Sequence, residues 1–272
     1  MENLQIAANN VRKNIVRMIH ESKSGHPGGS LSAAEILTYL YFKEMNVDPA
    51  DAKNPNRDRF VLSKGHAAPV LYAALAERGF ISEDILPTLR KIGSPLQGHP
   101  DSKKVEGVDV STGSLGQGVS NAVGLALGSK LDGSTSRVYT LLGDGEMQEG
   151  LVWEALMSAA HYKLDNLVVF IDNNGLQIDG KNEDVMDLGD IEAKLNAFGF
   201  NTHSIDGHSY EAIEASLNNA RETKGKPTAV LCKTIKGRGV SFMENSPAWH
   251  GTAPSADDLA KAIEELSQEV TA

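Results

Sequence analysis

The sequence predicts an α/β fold, a parallel sheet with helices on both faces, and three observations carry that reading. Short, almost wholly apolar runs recur at residues 138–142, 167–172 and 228–234, as in strands buried on both sides. Segments of helical spacing lie between them, so strand and helix alternate along the chain. With 272 residues, 40% apolar and 23% charged, the chain has the texture and the length for one large globular unit.

The elements follow in order. Residues 3–22 place Leu4, Ile6, Val11, Ile15, Val16 and Ile19 at helical spacing. A Gly- and Pro-rich turn at 24–30 follows, then a helix over 32–42 that opens with Ser32 and Glu35 in capping-box spacing. Residues 48–58 read as a surface loop and 60–62 as a short extended piece leading into a helix that ends near Ala76. Residues 93–109 are irregular, and a helix of small residues spans 116–131. Strand 138–142, helix 149–163, strand 167–172, helix 187–197, strand 200–205, helix 209–223 and strand 228–234 complete the core. A last helix starts beyond Pro254 and fades into a polar tail. No linker or internal repeat interrupts the chain, so residues 1–272 are expected to form one domain, with 254–272 as a C-terminal helix and tail.

Composition narrows the function. A net charge of −10 with no basic patch excludes non-specific nucleic-acid binding; the cluster at 233–238 is broken by apolar residues and Gly and reads as a strand end and loop. No apolar run is long enough to span a membrane, and the first residues lack a signal peptide's basic flank and apolar core. The one cysteine, Cys232, sits in an apolar run as a buried structural thiol, which fits a cytoplasmic, reducing compartment.

The candidate chemistry lies between Val138 and Gly180. Gly143-Asp144-Gly145 ends one strand, Asn173-Asn174 ends the next, and ligands in such sheets bind beyond the carboxyl ends of the strands. Asp-Gly is also a common hairpin turn, but here a helical pattern follows instead of a returning strand. Magnesium takes oxygen ligands in octahedral geometry with only one or two carboxylates. Asp144, the Asn174 side-chain oxygen and a nearby backbone carbonyl supply such a set, with phosphate oxygens and water completing it. The glycines beside Asp144 and the helix N-terminus beyond favour an anion there. On spacing alone, Asp144 is equally a helix cap and Asn174 a turn residue.

Four of the eight histidines, His26, His66, His99 and His250, stand in loops next to Gly or Pro. None has zinc-ligand spacing, whereas loop histidines at a sheet edge can bond sugar hydroxyls and shuttle protons. Such a histidine taken singly is more often a surface or turn residue, and His20, His161, His203 and His208 are read only that way. Gly113-Ser114-Leu115-Gly116-Gln117-Gly118 lacks the third glycine of a dinucleotide fingerprint, and no Gly-Lys-Ser/Thr phosphate loop exists. That loop remains a candidate cofactor contact, while Gly124 and Gly128 are expected to permit close helix packing.

These motifs together resemble a known family. Gly143 to Gly150 with Asp172-Asn173-Asn174 is similar to the thiamine-diphosphate signature. Ser24-Gly-His-Pro-Gly28, Asp58-Arg-Phe-Val-Leu-Ser-Lys-Gly-His66, Gly98-His-Pro100 and the run from Leu115 to Gly124 resemble transketolase specifically, in the family's order and over nearly the whole chain. The resemblance implies a thiamine-diphosphate-binding fold, the diphosphate-binding domain. It implies Asp144, Asn174 and the Leu176 carbonyl as ligands of magnesium, or of calcium or manganese in its place. His66, Gly113, Ser114, Leu115, Gly145 and His250 would contact the cofactor. His26, His99 and His250 would line the sugar channel and polarise oxygens as the C2–C3 bond breaks. Glu149 matches a glutamate of an acidic network between active sites; it also suits the first turn of a helix on dipole grounds alone. Ser114 stands where many members have proline, and residues 245–249 depart from the usual approach to His250.

Full-size members continue into a pyrimidine-binding domain, whose glutamate activates the cofactor, and a further C-terminal domain. The resemblance therefore implies the N-terminal subunit of a split transketolase. Such a chain would move a two-carbon ketol unit between sugar phosphates only with a partner bearing the pyrimidine-binding domain, in a heterotetramer. Two alternatives stand beside it: an α-type subunit of a thiamine-dependent 2-oxo-acid decarboxylase or dehydrogenase, and a non-catalytic cofactor-binding protein.

Overall fold

A computed structural model describes residues 2–268. Its centre is a five-stranded, all-parallel sheet in the order β1-β2-β3-β7-β6. The strands are β1 (Arg59–Leu62), β2 (Val138–Gly143), β3 (Leu167–Asn173), β6 (Asn201–Asp206) and β7 (Thr228–Lys233). A small antiparallel pair, β4 (Leu176–Gln177) and β5 (Gly180–Lys181), follows β3. The parallel sheet and its placement between helices agree with the fold expected from the apolar runs.

The period-2 alternation of β3 divides the core in two. Val168 and Phe170 join one apolar cluster; Leu167, Val169 and Ile171 join another. The first cluster is covered by α1 (Glu2–Ser22), α3 (Ala34–Tyr39), α4 (Ala68–Arg78), α9 (Tyr210–Glu222) and α10 (Ala256–Gln268). The second is covered by α5 (Gln117–Leu131), α6 (Gly150–His161) and α8 (Ile191–Ala197). In α1 the buried positions Leu4, Ala8, Val11, Ile15 and Ile19 recur at three or four residues, the stripe expected of a helix laid on a core.

Four local readings are corrected. The turn expected at 24–30 contains a helix, α2 (Pro27–Leu31), because Pro27 occupies the first turn, where its missing N–H costs nothing. The Ser32–Glu35 capping box does not form: Ser32 Oγ donates to Asp172 Oδ2 at 2.6 Å, and Glu35 pairs with Arg12. That helix is α3, and it continues as a π turn over Leu40–Glu44. The helix expected from 187 begins at Ile191, capped by Asp190 Oδ1 on Ala193 N, after the short α7 (Asn182–Val185). The expected tail beyond Gln268 lies outside the described residues. No helix among the described residues is long and apolar enough to cross a membrane.

Candidate active site

Register sets the site. Gly143 at the end of β2 lies beside Asp172 in β3, so the loops after both strands open at one edge. The loops after β1 and β7 reach the same edge, and with the start of α2 and the loop before α5 the four line a cavity of about 320 Å³.

One wall is made of oxygens. Asp144, 2% exposed, accepts N–H groups from Gly145 at 2.8 Å and Gly175 at 2.6 Å. Asn174 Oδ1 accepts from Leu176 N at 3.1 Å, and its amide donates to Asp172 Oδ2 at 3.2 Å. The Leu176 carbonyl accepts from Lys236 Nζ at 3.0 Å. Burial, then the Asp172 charge, pushes the Asp144 carboxyl up to about 6. Asp144 forms no ion pair among the described residues. One buried carboxylate, one carboxamide and one carbonyl that already holds an ammonium make a hard-oxygen donor set, which fits magnesium better than zinc. The structure thus brings Asp144, Asn174 and Leu176 together.

Three imidazoles share the cavity. The ring centroids of His26, His66 and His250 are 5.2, 5.3 and 5.4 Å apart pairwise. His26 precedes α2, His66 sits in the turn after β1, and His250 follows a turn at Pro247–Trp249. Burial lowers all three. It is reinforced first by Arg90 at His26, by Lys64 at His66 and by Lys236 at His250, so that His26 falls to about 4 and His250 to about 3. Neutral rings result at pH 7. Lys236 Nζ lies 3.0 Å from His250 Nδ1, which therefore accepts. His26 Nδ1 and Gln177 Nε2 are buried at the cavity with no hydrogen-bond partner among the described residues, which leaves polar groups for a ligand to satisfy.

Gly113, Leu115 and Gly145 also line the cavity. Three expected residues do not. His99 lies behind Gly113, where a Cβ would come within 2.8 Å of its ring, and burial followed by Arg90 lowers its pKa. Ser114 is exposed, outside the lining residues. Glu149 is exposed at the N-cap of α6. The buried acid is instead Glu146, bonded by Ser63 Oγ, Gly116 N and Gly143 N at 2.5, 2.8 and 3.1 Å, where it ties three site loops together.

Sequence reasoning also missed Lys64, Lys236 and Arg90. Lys236 lies in the stretch read as a loop, and its site partner His250 is fourteen residues further on. Arg90 packs on Gly98, where a Cβ would meet its Cζ at 2.6 Å. Its charge depresses both His26 and His99, and the only sequence cue was the basic pair Arg90-Lys91 a few residues before His99. The expected packing over Gly124 and Gly128 is not met within this chain: a Cβ at either would find no atom within 4 Å.

A second, more open cleft of about 630 Å³ meets the Asp144–Asn174 edge from outside, lined by Glu183, Asp187, Asp190 and Glu192. Its acidic wall suits no anion. The inner cavity pairs two lysines and three histidines with a metal-type oxygen set, which suits a metal-bridged phosphate.

Comparison with known proteins agrees with this chemistry. Residues 4–271 match the family model described as transketolase, thiamine diphosphate binding domain. The chain is 44% identical to the 6-deoxy-6-sulfo-D-fructose transketolase subunit of Clostridium sp. (strain MSTE9), covering 98% of this chain and 97% of that one. It is also 44% identical to an apulose-4-phosphate transketolase subunit of Actinobacillus succinogenes, covering 95% and 93%. Its fold superimposes on the crystal structure of transketolase from Campylobacter jejuni with a TM-score of 0.93 at 34% identity, covering 98% of this chain but 43% of that one. The chain belongs to the transketolase family, and the part of that family it carries is the thiamine diphosphate binding domain.

Proposed function

We propose that this chain is the diphosphate-binding subunit of a two-chain transketolase that transfers a two-carbon ketol unit from a ketose phosphate to an aldose phosphate. The observation that carries the reading is the cavity itself: three neutral imidazoles share about 320 Å³ with Asp144, Asn174 and Leu176. In it, Asp144, Asn174 and Leu176 hold the divalent cation, while Lys236, His66 and His250 bind the diphosphate oxygens. The chemistry that thiamine diphosphate supplies when bound is a carbon nucleophile that also stores the electron pair of the broken C–C bond.

The chain's own residues orient the sugar and handle its protons. His26, with its free Nδ1, and His99 beside Gly113 hold hydroxyl and carbonyl oxygens. Neutral at pH 7, each ring can accept a proton from one hydroxyl or donate to a carbonyl oxygen. An anion beside Lys236 offsets the charge that depresses His250, raising its pKa toward the range of a working base. Arg90 and the neighbouring Lys91 and Lys104 line an outer cleft of about 540 Å³, a place for the distal phosphate of the sugar. Glu149, exposed at the start of α6, is positioned to meet groups from another chain rather than the cofactor.

The partner is a chain bearing a pyrimidine-binding domain. Relatives named as transketolase subunits match this chain over nearly their whole length, which supports a two-chain arrangement. Leu131 at the end of α5, Met157 on α6 and Tyr162 just after α6 are 78, 58 and 53% exposed, and Gly124 and Gly128 of α5 face open space; exposed apolar side chains of this kind suit a protein contact. Two copies and two partners would form a heterotetramer. The free, buried Cys232 and the absence of an apolar spanning helix among the described residues favour the cytoplasm.

The donor identifies the reaction. With its partner, the chain is expected to release glyceraldehyde or erythrose phosphates from ketose phosphates and to leave pyruvate untouched. Pyruvate decarboxylation without ketol transfer would instead identify the 2-oxo-acid class.

A further inference from the structure

The segment carrying Lys236 has no regular secondary structure, yet it is held from several sides. Thr234 N donates to Asn173 O at 3.3 Å and its hydroxyl donates to Asp172. Ile235 N donates to His208 Nε2 at 2.9 Å, Gly237 N to Gly28 O at 3.0 Å, and Arg12 Nε to Arg238 O at 3.1 Å. Gly237 turns at φ +83°, where a Cβ would stand 2.3 Å from Met243 O. Lys236 is the one side chain of residues 234–238 that lines the cavity.

The His208 contact dictates a tautomer. A backbone N–H can only donate, so Nε2 is the bare acceptor and the ring hydrogen sits on Nδ1. That hydrogen points to Glu35 Oε2 at 3.0 Å. Glu35 in turn takes Arg12 Nη2 on both carboxylate oxygens, at 2.5 and 2.6 Å. Burial alone would raise the Glu35 carboxyl, but Arg12 and then His208 outweigh it and bring it down to about 2. Arg12 and Glu35 are sealed from solvent and His208 keeps 11% of its surface. A buried charged network of this kind is a poor source of stability, because apolar residues of similar volume often serve as well. Its distinctive product is orientation: a fixed carboxylate, hence a fixed ring, hence a fixed acceptor under the peptide that precedes Lys236.

We propose that His208, oriented by Glu35 and Arg12, is a positioning residue that locks the 234–238 segment and so holds Lys236 Nζ between His250 and the Leu176 carbonyl, ready for the diphosphate. The proposal rests on the reading of the cavity as the diphosphate site.

Two substitutions separate the halves of the histidine. In H208Q the side-chain oxygen reaches the Nε2 position and still accepts from Ile235. In H208N the amide reaches only the Nδ1 position, keeps the bond to Glu35, and leaves the Ile235 N–H unpaired. The readouts are thiamine diphosphate affinity at saturating magnesium, by calorimetry on the full chain assembled with its partner, and the melting temperature of the cofactor-free assembly. H208N is expected to weaken affinity about tenfold, the effect of one buried donor left unpaired. H208Q should weaken it less than about threefold, at a melting temperature no higher than that of H208N. In a Lys236→Ala background, H208N should add nothing, because the two residues act as one unit.

Equal losses of affinity in H208Q and H208N, tracking melting temperature, would overturn the proposal. So would a tenfold loss in H208Q alone with an unchanged melting temperature, a test that stands even where H208N does not assemble. A tenfold effect of H208N persisting over Lys236→Ala would overturn it as well. Asp144→Ala separates the two readings: unchanged cofactor affinity there removes the diphosphate site itself, whatever His208 does.

Discussion

Lys64 Nζ lies 2.5 Å from Asp172 Oδ2, and both side chains are sealed from solvent. Asp172 also accepts from Ser32, Asn174 and Thr234, and Lys64 donates to the Gly29 carbonyl at 2.6 Å. Burial favours protonating Asp172, but the Lys64 ammonium and then the Ser32 and Thr234 hydroxyls outweigh it and hold its carboxyl below the usual range. Two carboxylates thus stand side by side at the sheet edge with opposite fates. Asp172 is neutralised from within, whereas Asp144 has no ion-pair partner among the described residues and is pushed up to about 6.

Lys64→Met strands the Asp172 charge. The fold is expected to lose about 3–5 kcal/mol in urea denaturation, the usual cost of breaking one side of a buried pair. Adding Asp172→Asn should return most of that loss. A double variant as unstable as Lys64→Met alone would contradict the pairing as the source.

Asp144→Asn keeps the shape and the acceptor for one N–H but removes the charge. Magnesium-dependent binding of thiamine diphosphate should fall by more than the roughly 10–100-fold that loss of an outer-shell partner costs. Asn174→Ala should fall by a similar or smaller factor. Binding within error of the parent in both would remove the oxygen wall from the site.

The three clustered histidines make the cofactor-free chain acid-sensitive. Their folded-state pKa values lie below the ordinary 6.5, at about 4 for His26 and about 3 for His250, with burial the first cause in both. The unfolded chain therefore binds more protons below pH 6.5, so the stability held above that pH is lost as pH falls toward 4 and 3. Asp144 acts oppositely: its raised value means the folded state takes up a proton below about 6, which stabilises it. His250→Gln should flatten the decline in urea midpoint between pH 6.5 and 5. An unchanged slope would mean the rings do not carry it.

Two glycines in one helix should respond in opposite directions. A Cβ at Gly118 would lie 2.5 Å from Ser63 Cα, backbone that cannot yield, so Gly118→Ala is expected to lose about 1–3 kcal/mol. Gly124 faces open space, so Gly124→Ala should gain about 0.5–1 kcal/mol in the isolated chain from helix propensity. If α5 meets the partner there, the same substitution weakens assembly while it stabilises the isolated chain.

Most of the sheet was legible because β2, β3 and β7 are buried on both faces and read as unbroken apolar runs. The placement of Asp144 and Asn174 at one sheet edge was legible because each directly follows an apolar strand. The failures share one cause, local grammar overruled by distant partners. Ser32 and Glu35 have capping-box spacing, but Asp172 and Arg12 claim their side chains. Glu146, three residues before Glu149, drew no notice in the sequence, yet Ser63, Gly116 and Gly143 from three loops bury its carboxylate. The buried contacts of His208 were not legible because its partners Glu35 and Ile235 lie far from it in sequence.

The most direct test is reconstitution. The purified chain is assayed for ketol transfer from a ketose phosphate to an aldose phosphate with thiamine diphosphate and magnesium, alone and then with a chain bearing the pyrimidine-binding domain. Turnover that is negligible alone and appears with the partner, titrating to one partner per chain, is the expected result. Full transfer by the chain alone, or none with any such partner, would contradict the account.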